Sequence, residues 1–165
     1  RGAWCQHRSQ TGYKAGRGVP ERGVEVGAKA TPRRRAAARA VVGCPEGLLG
    51  QILAGGGPKG AIGEVGRVAA ILAAKRTGDL IPMCHPLALD GVTVEFTALD
   101  EDRLEIRCGA TCTGPTGVEM EAMTGASVAA LTVHDMTKAA AKGIEVERLR
   151  LLRKTGGKSR ACVAA

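Results

Sequence analysis

An α+β fold, an antiparallel sheet with helices packed on one of its faces, follows from two features of this 165-residue sequence. Some stretches place apolar residues at three- and four-residue steps, the period of a helix face, and others alternate apolar with polar residues, the period of a strand. The clearest alternating stretches flank the acidic turn Asp100-Glu101-Asp102 and so form an antiparallel hairpin. Helices mixed with antiparallel strands give a sheet with its helices gathered on one side.

The elements follow in order. Residues 1–22 are polar, rich in Gly and Arg, and without either period, which predicts a disordered basic tail. Val24-Glu25-Val26 is a candidate short strand. Thr31-Pro32 followed by the Ala- and Arg-rich run Arg33 to Val42 predicts a helix, with Thr31 as N-cap and Pro32 at the first helical position, ended by Gly43-Cys44-Pro45. Glu46 to Ala54 predicts a short second helix, and Gly55-Gly56-Gly57-Pro58 a flexible connection. Ala61 to Lys75 predicts a third helix from Ile62, Val65, Val68, Ala69 and Leu72, although Gly63 and Gly66 each weaken it by up to about 1 kcal/mol relative to Ala. Val92, Val94 and Phe96 define one strand, and Leu104, Ile106 and Cys108 its partner. A strand into Val118 feeds a long helix from about Glu121 to Lys142, stopped by Gly143, and Ile144 to Leu152 is the last strand. The domain spans 23–159, with residues 160–165 as a C-terminal tail.

Composition bounds the function. Only Trp4, Tyr13 and Phe96 are aromatic, so the core is built from Ala, Val, Leu and Ile. Apolar burial is worth roughly 25 cal/mol per Å², and small side chains offer little area, so subunit contacts are expected to complete the core. No apolar run reaches the roughly 20 residues of a membrane helix. The net charge of +8 resides entirely in residues 1–39, where ten Lys and Arg face only Glu21 and Glu25, while the remainder holds 14 residues of each sign. Such a basic arm reads as a solvated tail, a nucleic-acid contact or a targeting remnant. The neutral body and the missing aromatic platforms argue against nucleic acid. The six cysteines form no Cys-x-x-Cys pair; reduced thiols and a cytoplasmic location are expected, with no metal site. On the strand, Cys108 and Cys112 share a face.

Several groupings carry chemistry. Asp135 and Lys138, three apart on the long helix, make either a surface ion pair or a proton-exchanging couple. Glu119 and Glu121, in an extended segment, share a face and serve either as a solvated edge or as paired acceptors for a guanidine-like ring edge. Close carboxylates raise each other's pKa. His85, between Cys84 and Pro86, is either a hydrogen-bonded structural residue or a proton carrier, since histidine changes charge near neutral pH. Lys59 follows the glycine run just before a helix and suits a phosphate. No Walker-type loop exists: Thr155-Gly156-Gly157-Lys158-Ser159 comes closest, but Leu152 stands where the first Gly is required. Lys154 and Lys158 still suit an anionic ligand.

Taken together, these segments resemble one family. Lys59-Gly60, Ala73-Ala74-Lys75-Arg76-Thr77, Leu80-Ile81-Pro82-Met83-Cys84-His85-Pro86-Leu87, Thr116 through Thr124, Ser127 through Thr132, Asp135-Met136, Lys138-Ala139 and Gly156-Gly157-Lys158-Ser159 are similar, in order, to motifs of the cyclic pyranopterin monophosphate synthases, the molybdenum cofactor biosynthesis protein C family. The resemblance covers roughly residues 24–159. It implies a ferredoxin-like subunit and a homohexamer, a trimer of dimers, with active sites between subunits. It implies a lyase that converts 3′,8-cyclo-7,8-dihydro-GTP into cyclic pyranopterin monophosphate with release of pyrophosphate, and no cofactor. It places Lys59, Asp135 and Lys138 as catalytic residues. It places Arg33, Lys75, Cys84, His85, Glu119, Met120, Glu121, Lys154 and Lys158 in the substrate pocket. The sequence departs from the family at Gly23-Val24-Glu25-Val26 and at Arg160, which follows Ser159 where the family has Gly. The alternative is a non-catalytic pterin- or nucleotide-binding protein of the same fold.

Overall fold

The computed structural model describes residues 32–57, 59–157 and 162–163. The expected disorder of 1–22, the short strand at Val24–Val26, the Thr31 cap and the bulk of the 160–165 tail lie outside the described residues. The elements are β1 (Arg33–Gly43), α1 (Leu48–Leu53), α2 (Ile62–Lys75), α3 (Thr77–Leu80), β2 (Gly91–Ala98), β3 (Arg103–Thr113), α4 (Glu119–Thr137), β4 (Glu145–Thr155) and the two-residue β5 (Cys162–Val163). The sheet runs in the order β2-β3-β1-β4-β5, antiparallel throughout. Through β4, the chain therefore follows the β-α-β-β-α-β succession of the split β-α-β motif. The α+β expectation holds, as do the β2–β3 hairpin, the short helix α1 and the final strand. No helix among the described residues is long and apolar enough to cross a membrane.

The predicted helix over Arg33 to Val42 is instead β1, the central strand of the sheet. Alanine favours a helix in isolation, yet propensity is a weak prior that tertiary pairing overrides. Here β1 pairs along its length with β3 on one side and β4 on the other. Its period is two: Arg34, Ala36, Ala38, Ala40 and Val42 are buried beneath the helices, and Arg33 and Arg35 are exposed on the opposite face. On β3, Leu104, Ile106, Cys108, Ala110 and Cys112 are buried in the same way, which puts Cys108 and Cys112 on one face as expected.

Two further corrections concern α4. No strand leads into Val118; β3 ends at Thr113 and Val118 is the helix N-cap. The helix starts two residues earlier than expected and ends at Thr137, after which the chain turns and Gly143 reverses it with φ 85°. Glu119 and Glu121 are consequently in a helical first turn, where successive residues fan out by about 100°, and not on one face of an extended segment.

Small residues let the helices approach one another and the sheet. On α2, the buried face is Ile62, Gly66, Ala70, Ala73 and Ala74, whereas Val65, Val68 and Leu72 point outward, the last two more than half exposed. The apolar stripe that revealed the helix in the sequence is thus largely its outer face. Gly125 on α4 shows why the inner face is small: a Cβ there would meet Cys108 Sγ at 2.5 Å, the Ala70 carbonyl oxygen at 3.2 Å and Ala74 Cβ at 3.6 Å. Gly66 lies near the Ala129 carbonyl and Gly125 near Ala70, so α2 and α4 run antiparallel. The C-terminal end of α2 therefore lies beside the N-terminal end of α4.

Gly125→Val overpacks this contact and is expected to cost about 1–3 kcal/mol. Gly63, whose Cβ would meet nothing within 4 Å, is the control: Gly63→Ala is expected to gain up to about 1 kcal/mol from helix propensity. Urea denaturation of both variants checks the pair. Equal stability of the two would contradict the packing described.

Candidate active site

Charged residues gather at the two ends of α4. At its C-terminal end, Asp135 is bridged by two lysines. Lys59, in the turn before α2, places Nζ 3.0 Å from Asp135 Oδ2 and 3.1 Å from the Asp135 backbone carbonyl oxygen, donating to both. Lys138, three residues along, places Nζ 2.6 Å from Oδ1. The sequence suggested the Asp135–Lys138 pair from helix spacing; Lys59 joins it from 76 residues away. The lysine ammoniums, Lys138 first and then Lys59, hold the Asp135 carboxyl down at about 2. All three side chains are roughly half exposed, so the cluster is open to a ligand.

The N-terminal end of α4 carries Glu119, Met120 and Glu121, two carboxylates in a first turn where the helix dipole favours negative charge. Glu119 Oε1 lies 3.1 Å from Lys154 Nζ on β4, whose side chain is on the helix-bearing face of the sheet. Glu121 is 4% exposed. Burial pushes its carboxyl above the ordinary range; its own backbone N–H opposes this and the Glu119 charge adds to it. The Glu119–Glu121 coupling expected from spacing is therefore present, but as the lesser cause. Cys84 lies close enough to Glu121 that this carboxylate, after burial, raises its thiol pKa. His85 is exposed and lines a cavity of about 290 Å³ with Cys112 and residues 113–116, the loop leading into α4. Lys75, exposed at the end of α2, sits at this same end because the helices are antiparallel.

The sheet's alternation separates Arg33 from this group. Arg33 is exposed on the open face, while its neighbour Arg34 is buried on the helix side and donates to backbone carbonyls of the residue 114–115 turn. Arg34 was missed because the run Arg33-Arg34-Arg35 was read with helical period; a period of two would have grouped Arg34 with Ala36, Ala38 and Ala40. Lys158 lies outside the described residues.

The two ends cannot serve one ligand within one chain. Glu119 and Asp135 are sixteen residues apart on a single helix, about 24 Å at 1.5 Å per residue, further than a nucleotide spans. One end offers ammonium groups oriented by a carboxylate, suited to proton transfer. The other offers fixed acceptors beside a buried acid and several cations, suited to holding a polar ring and an anionic group. The four described cysteines that bear on packing here, Cys44, Cys84, Cys108 and Cys112, are free thiols.

Comparison with known proteins agrees with the resemblance. A model of the MoaC family matches residues 23–157. A cyclic pyranopterin monophosphate synthase of Novosphingobium aromaticivorans is 51% identical over 142 residues, covering 86% of this chain and 90% of that protein.

Two titrations test the electrostatics. Carbon-13 NMR of the Asp135 carboxyl is expected to give a value of about 2, returning toward 3.8 in Lys138→Ala. Because the folded value lies below the ordinary one, the stabilisation from this cluster is complete above about pH 4 and is lost as pH falls toward 2; a wild-type titration near 3.8 would mean that the bridge does not persist in solution. For Glu121 the sign is reversed. A carboxyl raised by folding costs stability once the unfolded chain ionises, near 4.5. Glu121→Gln is therefore expected to raise the melting temperature at pH 7, with a smaller gain at pH 4, as measured by calorimetry; a lower melting temperature at pH 7 would contradict the burial argument.

Proposed function

The chain belongs to the MoaC family, and on that premise we propose that it is a cyclic pyranopterin monophosphate synthase. It converts 3′,8-cyclo-7,8-dihydro-GTP into cyclic pyranopterin monophosphate and releases pyrophosphate, a step of molybdenum cofactor biosynthesis carried out in the cytoplasm. The observation that carries the assignment of roles is the bridging of Asp135 between Lys59 and Lys138. Opening and reclosing the substrate's rings requires protons to be delivered and removed at several atoms. An ammonium can deliver a proton and, once neutral, accept one from the next atom in the sequence. The Asp135 carboxylate orients both lysines.

At the other end of α4, Glu119 and Glu121 accept hydrogen bonds from the donor edge of the pterin-like ring. Met120, Cys84 and His85 line the pocket around it. The polyphosphate is taken by the cations Lys75, Lys154 and Lys158, while Arg33, on the opposite face of the sheet, stands outside this set within one chain. Forming a cyclic monophosphate expels pyrophosphate, so these cations also stabilise the leaving group.

The separation of the two ends supports an active site shared between subunits, with the Lys59–Asp135–Lys138 cluster of one protomer facing the Glu119–Lys154 end of its partner. The outward Val65, Val68 and Leu72 of α2 and Leu131 of α4, each 45–59% exposed, supply apolar surface for assembly. The expected assembly is a homohexamer, a trimer of dimers.

Incubation of the purified protein with the cyclic dihydro-GTP intermediate is expected to release pyrophosphate in step with a pterin product. Binding without either product would favour the non-catalytic alternative. Lys59→Ala and Lys138→Ala are each expected to lower turnover by about 10²–10⁴-fold with the fold intact; near-wild-type turnover in either would remove that lysine from the mechanism. Sedimentation showing only monomer at micromolar concentration would contradict the shared site.

A further inference from the structure

We propose that Arg34 is a positioning residue that ties the loop before α4 to the loop after β4 and so holds the Glu119–Lys154 pair in place. The inference rests on the reading of the N-terminal end of α4 as a substrate pocket. It differs from that reading in giving this arginine a structural clamp's task and not a ligand's.

Arg34 is 8% exposed, and its guanidinium is spread over two loops. Nε donates to the Gly114 carbonyl at 3.2 Å and Nη2 to the Pro115 carbonyl at 3.0 Å, both in the connection from β3 to α4. Nη1 donates to the Gly156 carbonyl, immediately after β4. Each nitrogen thus serves a backbone oxygen, three of the five guanidinium N–H groups being spent on the two loops. The fork is specific to arginine: an ammonium is a point donor and cannot address three carbonyls held apart by a planar group.

Both loops are packed where the clamp holds them. Gly114 N–H donates to the Pro32 carbonyl at 3.4 Å, which brings the first loop to the start of β1. Gly156 adopts φ 90°, and a Cβ there would drive into the Arg33 carbonyl oxygen, so the second loop lies directly on β1. Glu119 follows the first loop by four residues and Lys154 precedes Gly156 by two. Their 3.1 Å contact joins the same two segments that Arg34 joins. The arginine and the ion pair are therefore two rungs between one pair of strands' ends, the buried rung fixing the spacing at which the half-buried rung meets substrate.

The test compares Arg34→Lys with Arg34→Gln. If Arg34 acts as a clamp, the lysine variant, which keeps the charge, behaves like the glutamine variant. Both raise KM for the cyclic dihydro-GTP about tenfold while kcat stays within about threefold, because the proton-transferring lysines at the far end of α4 are untouched. Hydrogen exchange at the amides of Gly114, Thr116, Gly117, Gly156 and Gly157 speeds up in both. If Arg34→Lys keeps wild-type KM while Arg34→Gln does not, Arg34 supplies charge to the ligand and the clamp is overturned; unchanged KM and exchange in both variants overturn it as well. Should both variants fail to fold, Gly156→Ala carries the test: it displaces the clamped carbonyl and is expected to show the same KM rise, and a normal KM would overturn the proposal. If the wild-type protein proves inert toward this substrate, the proposed function fails, and exchange at the two loops still decides the clamp, retained protection in the Arg34 variants counting against it.

Discussion

The close seating of α4 on the sheet and against α2 is the constraint on which the rest of the molecule depends. It is made by residues with almost no side chain: Gly125, Ala122, Ala126 and Ala129 on α4, Gly66, Ala70 and Ala74 on α2, and Ala36, Ala38 and Ala40 on β1. Such surfaces bury little area each, and what they offer is proximity, so that dispersion contacts accumulate over the length of the helix. Because α4 is held across β1, β3 and β4, its two ends become fixed points. Among the described residues, the Lys59–Asp135–Lys138 cluster gathers around one end and the Glu119–Lys154 pair with Glu121 around the other.

That arrangement explains why a compact chain keeps its charges so far apart. The C-terminal end of α4 concentrates two cations on one carboxylate, and the N-terminal end sets two carboxylates against cations that arrive from β4 and α2. The two ends differ in charge. The first retains excess positive charge for a ligand, and the second contains Glu121, a carboxyl whose burial opposes its ionisation. Such burial is a cost to stability. The outward apolar stripe of α2 belongs to the same logic, since a helix whose inner face is Gly and Ala leaves its larger apolar residues, Val65, Val68 and Leu72, exposed.

Much of the fold was legible in the sequence wherever one period dominated. The hairpin of β2 and β3 was read from Val92, Val94, Phe96, Leu104, Ile106 and Cys108, because large side chains alternate there without ambiguity. β1 was not, because Arg-Ala runs carry high helix propensity and alanine marks no face; only pairing on both sides makes it a strand. That one misreading hid Arg34, whose burial is a consequence of strand period. For α2 the element was found but its orientation was not, since the three-and-four spacing of Val65, Val68 and Leu72 identifies an apolar face without saying what covers it. At the site, the i, i+3 spacing exposed Asp135 and Lys138, whereas the approach of Lys59 and the Glu119–Lys154 contact depend on tertiary structure that no local pattern encodes.

The central claim is that each active site takes one end of α4 from each of two protomers. Mixing two inactive variants tests it most directly: Lys138→Ala, which damages only the C-terminal end, and Glu119→Gln, which damages only the N-terminal end. After dissociation and reassembly of an equal mixture, about a quarter of sites in a symmetric shared-site assembly combine two intact ends. The account predicts recovery of turnover to about that fraction of wild type, whereas reassembled mixed oligomers that stay as inactive as either parent would show that each site is built from one chain alone.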